Sequence, residues 1–102
     1  MFTLEITESA ENDLDSIVEY LSVQLANPPA AIVLLDEVSL VGEQLSDMPN
    51  SFPLCKDSRL AELGYHKAVI RSYIMIYEID DTEEVVRVLR FFHGSEDYEN
   101  KL

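Results

Sequence analysis

The residues best suited to acid–base or phosphate chemistry lie in the C-terminal part of the chain. Both histidines and five of the seven Lys and Arg residues fall between Gly64 and the C-terminus. An imidazole can accept or donate a proton at neutral pH, and cations can stabilise the charge that develops on a phosphate. We therefore expect any catalytic or binding site to lie in this segment.

His93 and Tyr98 are the candidates for proton transfer. The imidazole of His93 is a group that can act as a general acid or base at neutral pH. The alternative is a histidine at a strand end that hydrogen-bonds the following turn. Tyr98 can stack on a base or donate a proton, or its ring can pack the last turn back onto the sheet. The sequence leaves both pairs of alternatives open.

Lys67, Arg71 and Arg90 are the candidates for contact with phosphate or a partner. Strict alternation along a strand places Lys67 and Arg71 on one face and His66 on the other. The same rule predicts that Arg87 and Arg90, three residues apart, face opposite ways. The alternative is that these cations form a solvated or partner-binding strand face.

Two tyrosines and one cysteine complete the candidates. Tyr73 and Tyr77 are four residues apart on one predicted face and are candidates for partner contact. They either pack in the sheet with solvated hydroxyls or form a platform on which a base can stack. Cys55 is the single cysteine, so no internal disulfide can form. One cysteine and two histidines give no cluster with zinc-ligand spacing. We expect neither a metal nor a cofactor.

The charge is strongly acidic and unevenly distributed. The 102 residues carry a formal net charge of −13, of which residues 1–63 contribute −10 and residues 64–102 contribute −3. This sign disfavours direct nucleic-acid binding, for which Lys and Arg normally neutralise phosphates. No apolar run is long enough to span a bilayer, and the acidic opening does not resemble a signal peptide. We expect one cytoplasmic domain over residues 1–102.

The first half of the chain predicts a strand and two helices. Residues 2–6 alternate apolar and polar side chains, as in a half-buried strand. Thr7 is a suitable N-cap for a helix that ends near Ala26, and Asn27-Pro28-Pro29 is typical of the start of a second helix. That helix should end before Met48-Pro49. The short connection predicts an antiparallel helical hairpin.

The second half predicts three strands. Residues 49–63 lack periodicity and are expected to form an ordered loop or a single turn. The runs at residues 65–71, 73–79 and 85–92 are typical of an antiparallel meander, and residues 96–102 can form one helical turn. The predicted fold class is α+β, in the order βααβββ, with the helical hairpin on one face of the sheet. The other face, or the sheet edge, is then available for a partner.

Three motifs, in this order and spacing, resemble the RelE/ParE superfamily of toxins from type II toxin–antitoxin systems. Members commonly contain Gly-Tyr/Leu-Arg-Lys, then Tyr-x-x-x-Tyr, then Arg-Val-Leu-His-Gly-Arg-Arg-Asp-Tyr. This chain has Gly64-Tyr65-His66-Lys67, then Tyr73 and Tyr77, then Arg90-Phe91-Phe92-His93-Gly94-Ser95-Glu96-Asp97-Tyr98. The similarity covers essentially the whole chain.

The resemblance implies a growth-inhibiting toxin that is neutralised by a cognate antitoxin, and a role in plasmid stabilisation. RelE-like toxins cleave ribosome-bound messenger RNA without a metal, which assigns catalytic roles to His93, Arg90, Tyr98 and Lys67. ParE-like toxins instead block DNA gyrase, and the helical hairpin favours that branch. A third reading is a divergent, non-toxic member that keeps only antitoxin binding, because His66 and Ser95-Glu96 stand where basic residues are usual.

Overall fold

The computed structural model describes all residues, 1–102, as a four-stranded sheet with helices. We number the strands and helices in chain order: β1 (Thr3–Ile6), α1 (Glu8–Glu19), α2 (Pro28–Asp47), α3 (Ser58–Glu62), β2 (His66–Ile70), β3 (Tyr73–Asp80) and β4 (Val85–His93). A π-helical turn, Tyr20–Gln24, extends α1, and a 3-10 turn, Tyr98–Asn100, lies near the C-terminus. The predicted order of strand, two helices and three strands is confirmed.

Side-chain caps fix the starts of both long helices. The Thr7 hydroxyl accepts a hydrogen bond from the N–H of Ala10 at 3.2 Å, and the Asn27 side chain accepts one from Ala30 at 3.3 Å. Prolines occupy the first turn of α2, where a missing N–H costs no intrahelical bond. These caps satisfy backbone donors that a helix leaves free at its N-terminus.

The end of the first helix differs from a regular α-helix. The chain widens into the π-helical turn after Glu19 and then reverses at Ala26, whose φ is +49°. The Ser22 hydroxyl donates to the carbonyl of Val18, a bond that competes with regular helical pairing. Tyr20 is the first residue of this turn, and its side chain lies near Tyr73 and His93 at the end of the sheet.

The sheet has the order β1-β4-β3-β2, with β1 parallel to β4 and the other pairs antiparallel. The three C-terminal strands form the predicted meander. Strand β1 adds to its far edge beside β4, so that Thr3 lies opposite Val85 and Ile6 opposite Val88. Strand β4 is therefore an interior strand, and β1 and β2 are the two edges.

Both faces of the sheet are covered. The helical hairpin packs on one face over a core that includes Leu34, Leu45, Tyr77 and Val88. On the other face, the predicted loop contains the five-residue helix α3, which places Leu60 against a second cluster of buried residues: Cys55, Ile74, Ile76 and Phe92. The expectation that this face is open to a partner is thus wrong over that cluster. No helix is long and apolar enough to cross a membrane.

Candidate functional site

The four residues proposed for catalysis lie on two sides of the sheet. His93 is the last residue of β4, pairs with Tyr73 and faces the helical layer. Lys67 and Tyr98 are on the opposite side, where the Lys67 ammonium lies 5.3 Å from the centre of the Tyr98 ring and that ring packs beside Phe92. The sheet therefore separates His93 from Lys67 and Tyr98.

Arg90 is held by a carboxylate of the first helix. Its Nε donates to Oδ2 of Asp13 at 2.6 Å and its Nη2 to Oδ1 at 3.2 Å, and the N–H of Phe91 donates to the same carboxylate at 3.0 Å. The hydrogen bonds that Arg90 donates to Asp13 raise the pKa of Arg90. The guanidinium also lies 4.8 Å over the ring of Phe92. Arg90 is consequently part of the packing between α1 and β4.

A bulge changes the faces predicted for the β4 arginines. The register shifts between Ile76 and Tyr77, so that Arg87 pairs with Glu78 whereas Arg90 pairs with Ile76. Glu78 and Ile76 are two residues apart, so their side chains lie on the same face of the sheet. The side chains of their partners Arg87 and Arg90 therefore also leave β4 on one common face. The prediction of opposite faces is wrong because one extra residue interrupts the alternation. Arg87 forms ion pairs with Glu78 and Glu5, each at 3.0 Å.

Arg71 does not act together with Lys67, contrary to the prediction from alternation. Strand β2 ends at Ile70, and Arg71 has a φ of +56° in the turn that follows. Its Nε lies 3.1 Å from a carboxylate oxygen of Glu37 on α2, which is on the helical side. The reversed backbone therefore sends the two cations in different directions.

His66 and Tyr77 hold the loop after α2. The His66 ring is only 8% exposed, stacks on Tyr77 with ring centres 4.9 Å apart, and places Nδ1 2.8 Å from the carbonyl oxygen of Phe52. A carbonyl can only accept, so Nδ1 carries the proton. The Tyr77 hydroxyl donates to the carbonyl of Pro49 at 2.9 Å, and burial raises the pKa of Tyr77 to about 12. Both aromatic residues contribute to the packing and are not available to a partner.

His93 faces a cavity of about 420 Å³ between the end of α1 and the ends of β3 and β4. A second cavity of about 300 Å³ continues from it and shares Tyr20, Tyr73 and His93. We call this continuous depression the His93 groove, and its first part is lined by Ser16, Ile17, Tyr20, Tyr73, His93, Ser95 and Glu96. Sequence reasoning missed Ser16 and Tyr20. Tyr20 is 44% exposed and lies outside the predicted apolar stripe of α1, which was the available signal.

The turn after β4 fixes the orientation of His93. The N–H of Ser95 donates to Nδ1 at 3.1 Å, and the Ser95 hydroxyl lies 2.6 Å from the same nitrogen. Because the backbone N–H can only donate, Nδ1 is an acceptor and the proton lies on Nε2. The ring also packs edge-on against Tyr73, with centres 5.4 Å apart.

Ser95 and Glu96, which stand where the superfamily motif has two arginines, both take part in this turn. Glu96 accepts the N–H of His93 at 2.9 Å and forms an ion pair with Lys101 at 2.7 Å. Lys101 and, secondarily, this backbone N–H lower the pKa of the Glu96 carboxyl. Gly94 lies close to the turn between β2 and β3: a Cβ there would be 3.1 Å from the Ser72 carbonyl oxygen.

The His93 groove offers one imidazole, two phenol hydroxyls and apolar walls. Burial raises the pKa of Tyr73. The one cation in the lining is Arg71, which Glu37 already pairs. Phosphoryl transfer requires cations at the phosphate as well as an acid and a base. An open groove lined by aromatic side chains whose polar ends can form hydrogen bonds is better suited to binding a protein surface.

A family model described as the ParE toxin of the type II toxin–antitoxin system parDE matches residues 4–98. No curated protein matches the chain in sequence. Among solved structures, the chromosomal ParDE toxin–antitoxin system of P. aeruginosa is similar, with a TM-score of 0.70 and 19% identity over 91% of this chain and 96% of that one.

Two further structures share the fold. One is the toxin–antitoxin complex RelBE2 of Mycobacterium tuberculosis, with a TM-score of 0.61 and 24% identity over 90% of this chain and 96% of that one. The other is a conserved hypothetical protein of Helicobacter pylori, with a TM-score of 0.56 and 16% identity over 93% and 97% of the two chains. At these identities the likeness shows the shared α+β toxin fold.

Proposed function

This chain belongs to the ParE toxin family of type II toxin–antitoxin systems, and from that premise we propose that it inhibits growth by binding DNA gyrase and is neutralised by a cognate antitoxin. The family match supports the gyrase target over messenger RNA. Two of the similar structures are a toxin–antitoxin system and a toxin–antitoxin complex, which supports the antitoxin partner. Such a function takes place in the cytoplasm.

The observation that carries this proposal is the dispersal of the residues that RNA cleavage would need. His93 lies in the groove on the helical side, whereas Lys67 and Tyr98 contact each other on the opposite side. Arg90 is bound by Asp13 through two hydrogen bonds. Acid, base and phosphate-binding cation must lie within hydrogen-bond reach of one substrate. The structure keeps them apart, which favours a binding function.

We assign the gyrase contact to the His93 groove. Tyr20 projects from the widened end of α1 and is 44% exposed, and His93 presents a protonated Nε2 beside it. Exposed aromatic residues are frequent anchors of protein interfaces. Tyr20→Ala should therefore weaken inhibition by at least tenfold, the effect of a lost anchor worth about 1.4 kcal/mol or more.

The test is a supercoiling assay with purified gyrase and purified toxin. Wild type is expected to inhibit supercoiling, Tyr20→Ala to inhibit weakly, and Tyr65→Ala, which changes a tyrosine outside the groove, to inhibit like wild type. Equal inhibition by Tyr20→Ala would remove the groove from the proposal. No inhibition by wild type at any concentration would overturn the gyrase target.

A second experiment separates the ribonuclease alternative. Transcripts mapped after induced expression are expected to stay intact while growth stops. Cleavage of translated messages that disappears in His93→Ala would overturn the binding mechanism and support the metal-independent ribonuclease. If wild type affects neither growth nor messages, the chain has kept antitoxin binding alone.

A further inference from the structure

Two of the seven basic side chains have neither an acidic partner nor a hydrogen bond. Four of the others form ion pairs with carboxylates: Arg71, Arg87, Arg90 and Lys101. Arg59 donates to the backbone carbonyls of Glu99 and Leu102, which ties α3 to the C-terminal segment. Lys56 and Lys67 remain, and neither has a carboxylate oxygen within 4 Å. On a chain of net charge −13, these are the two cations with neither an ion pair nor a hydrogen bond, although the Lys67 ammonium also lies over the Tyr98 ring.

Both lysines line the same groove. A depression of about 320 Å³ lies beside β2 and is bounded by Phe52, Pro53, Leu54, Lys56, Lys67 and Val69. We call it the lysine groove. Its apolar walls are open to solvent, since Leu54 is 46% and Val69 62% exposed. An exposed apolar surface with a charged rim is typical of a protein-binding site.

The free backbone of β2 lies along this groove. Residues next to Leu54 cover only the start of the edge: Leu54 bridges to His66, and the N–H of Lys67 donates to the carbonyl of Pro53 at 3.0 Å. Val69 is two residues further on, so its N–H points in the same direction. No hydrogen bond reaches Val69 from outside the sheet. The groove thus ends in an unpaired strand edge, which another strand can extend.

We propose that the lysine groove binds an extended acidic segment of a partner protein, which adds to β2 as a further strand. Backbone groups of the segment pair with Val69, alternate apolar side chains enter between Leu54 and Val69, and carboxylates reach Lys56 and Lys67. The partner we assign is the antitoxin, so this identification rests on the proposed function. The two lysines attract the carboxylates of the segment, whereas the rest of the acidic protein repels them. This local attraction therefore determines where the segment docks more than it raises the affinity.

The same chemistry disfavours a nucleic acid in this groove. Two lysines neutralise at most two phosphates, whereas the rest of the surface repels a polyanion. An acidic peptide has a lower charge density, and its backbone can use the strand edge as well. Binding of a single-stranded oligonucleotide is therefore tested beside binding of the peptide.

The first test uses synthetic ten-residue peptides that alternate Val or Ile with Glu or Asp. Anisotropy of a labelled peptide is expected to show saturable binding to the full chain, and the amide signals of Lys67 and Val69 are expected to shift. A matched peptide with Lys in place of each acid should bind at least tenfold more weakly. Equal binding of the two peptides, or preference for the Lys peptide, overturns the proposal.

Matched variants locate the site. Lys56→Gln should weaken the acidic peptide about threefold to tenfold, whereas Lys101→Gln, the same charge change at an ion-paired lysine, should not. Val69→Pro removes the outward N–H without breaking a sheet hydrogen bond and should abolish binding, while Val69→Ala keeps that N–H and most of the affinity. Circular dichroism verifies that each variant is folded. Unchanged affinity in both Lys56→Gln and Val69→Pro overturns the proposal.

A final comparison separates this inference from the proposed function. If the antitoxin encoded beside the gene binds wild type but not Val69→Pro, the result supports both the lysine groove and the proposed function. Equal binding to wild type and Val69→Pro overturns the lysine groove and leaves the proposed function intact. If the antitoxin binds neither while the acidic peptide binds, the antitoxin assignment fails and the groove stands. A single-stranded oligonucleotide that binds in a Lys56-dependent manner, where the peptide does not, overturns the peptide specificity.

Discussion

Asp13, which the sequence did not single out, accepts three hydrogen bonds from residues near the end of β4. Strand β1 ends opposite Val88, so β4 has an exposed edge beyond that point. Asp13 covers this edge by accepting the N–H of Phe91, and it also binds the Arg90 side chain. One carboxylate thus satisfies a backbone donor and neutralises a cation. Arg90, the arginine of the superfamily motif, therefore stabilises the fold through its hydrogen bonds to Asp13.

Asp13→Ala should lower the free energy of unfolding by about 1 to 3 kcal/mol. It leaves the Phe91 N–H and the partly buried Arg90 guanidinium without their acceptor. Asp15→Ala is the control, since Asp15 is exposed and makes no ion pair or side-chain hydrogen bond; it should change stability by less than about 0.5 kcal/mol. Urea denaturation measures both, and equal values for the two variants would contradict the assignment.

Tyr77 should make the protein less stable at alkaline pH. Its folded-state pKa is about 12 because of burial, above the ordinary value of 10.0. The unfolded chain therefore loses this proton first, so stability is complete below pH 10 and falls as the pH rises toward 12, by at most about 3 kcal/mol. Denaturation curves between pH 8 and 12 should show a smaller loss for Tyr77→Phe. If the free energy of unfolding falls equally steeply with pH in Tyr77→Phe, Tyr77 is not the source of the alkaline loss of stability.

At the scale of elements, Gly42 sets the distance between α2 and β1. A Cβ at this position would lie 2.9 Å from Cδ2 of Leu4, closer than two carbon atoms can pack. The helix therefore contacts the edge strand through a position without a side chain. This close approach packs α2 directly against the edge strand β1.

Substitutions at Gly42 should separate helix propensity from packing. Gly42→Ala gains up to about 1 kcal/mol in helix propensity and requires a small shift of the flexible Leu4 end, so it should stay within about 1 kcal/mol of wild type. Gly42→Val adds two methyl groups and should destabilise by about 1 to 3 kcal/mol. Thermal and urea denaturation give both values. A stabilising Gly42→Val would show that β1 is not packed tightly on α2.

Local signals predicted the elements well because they act within a few residues. The caps at Thr7 and Asn27 and the proline after Met48 marked the helices that the structure shows. Asp57 was an available signal for α3, since its side chain accepts from the N–H groups of Arg59 and Leu60. The short helix was missed because its five residues are too few to show a period.

The candidate site was less predictable because it depends on contacts between distant residues. The pair of Arg90 with Asp13 joins positions 77 residues apart. The bulge in β4 and the positive φ of Arg71 each break strict alternation, and neither has a marker such as glycine in the sequence. Alternation predicted the strands; the direction of individual side chains required the three-dimensional structure.

At the scale of the whole molecule, the net charge of −13 destabilises the folded state through repulsion among carboxylates. Added salt screens exposed charges, with a Debye length near 10 Å at 0.1 M. The melting temperature should therefore rise as NaCl increases from about 0.02 to 0.5 M, over the range in which that length shrinks to a few ångströms.

A charge-reduced variant provides the control for this salt effect. Asp36→Asn with Glu43→Gln neutralises two exposed carboxylates of α2 that form no ion pair. The variant should melt higher than wild type at low salt and gain less from added NaCl. A melting temperature that does not depend on salt in either protein would show that repulsion contributes little.

The pairing of β1 with β4 also determines when this protein can finish folding during its synthesis. Thr3 is opposite Val85, so the edge strand waits for a partner made 82 residues later. At the usual 5 to 20 residues per second, that interval is roughly 4 to 16 s. Contacts of such high sequence separation slow folding as well. During this time β1 has no partner strand, and the apolar side of α1 lacks the sheet on which it packs in the folded protein.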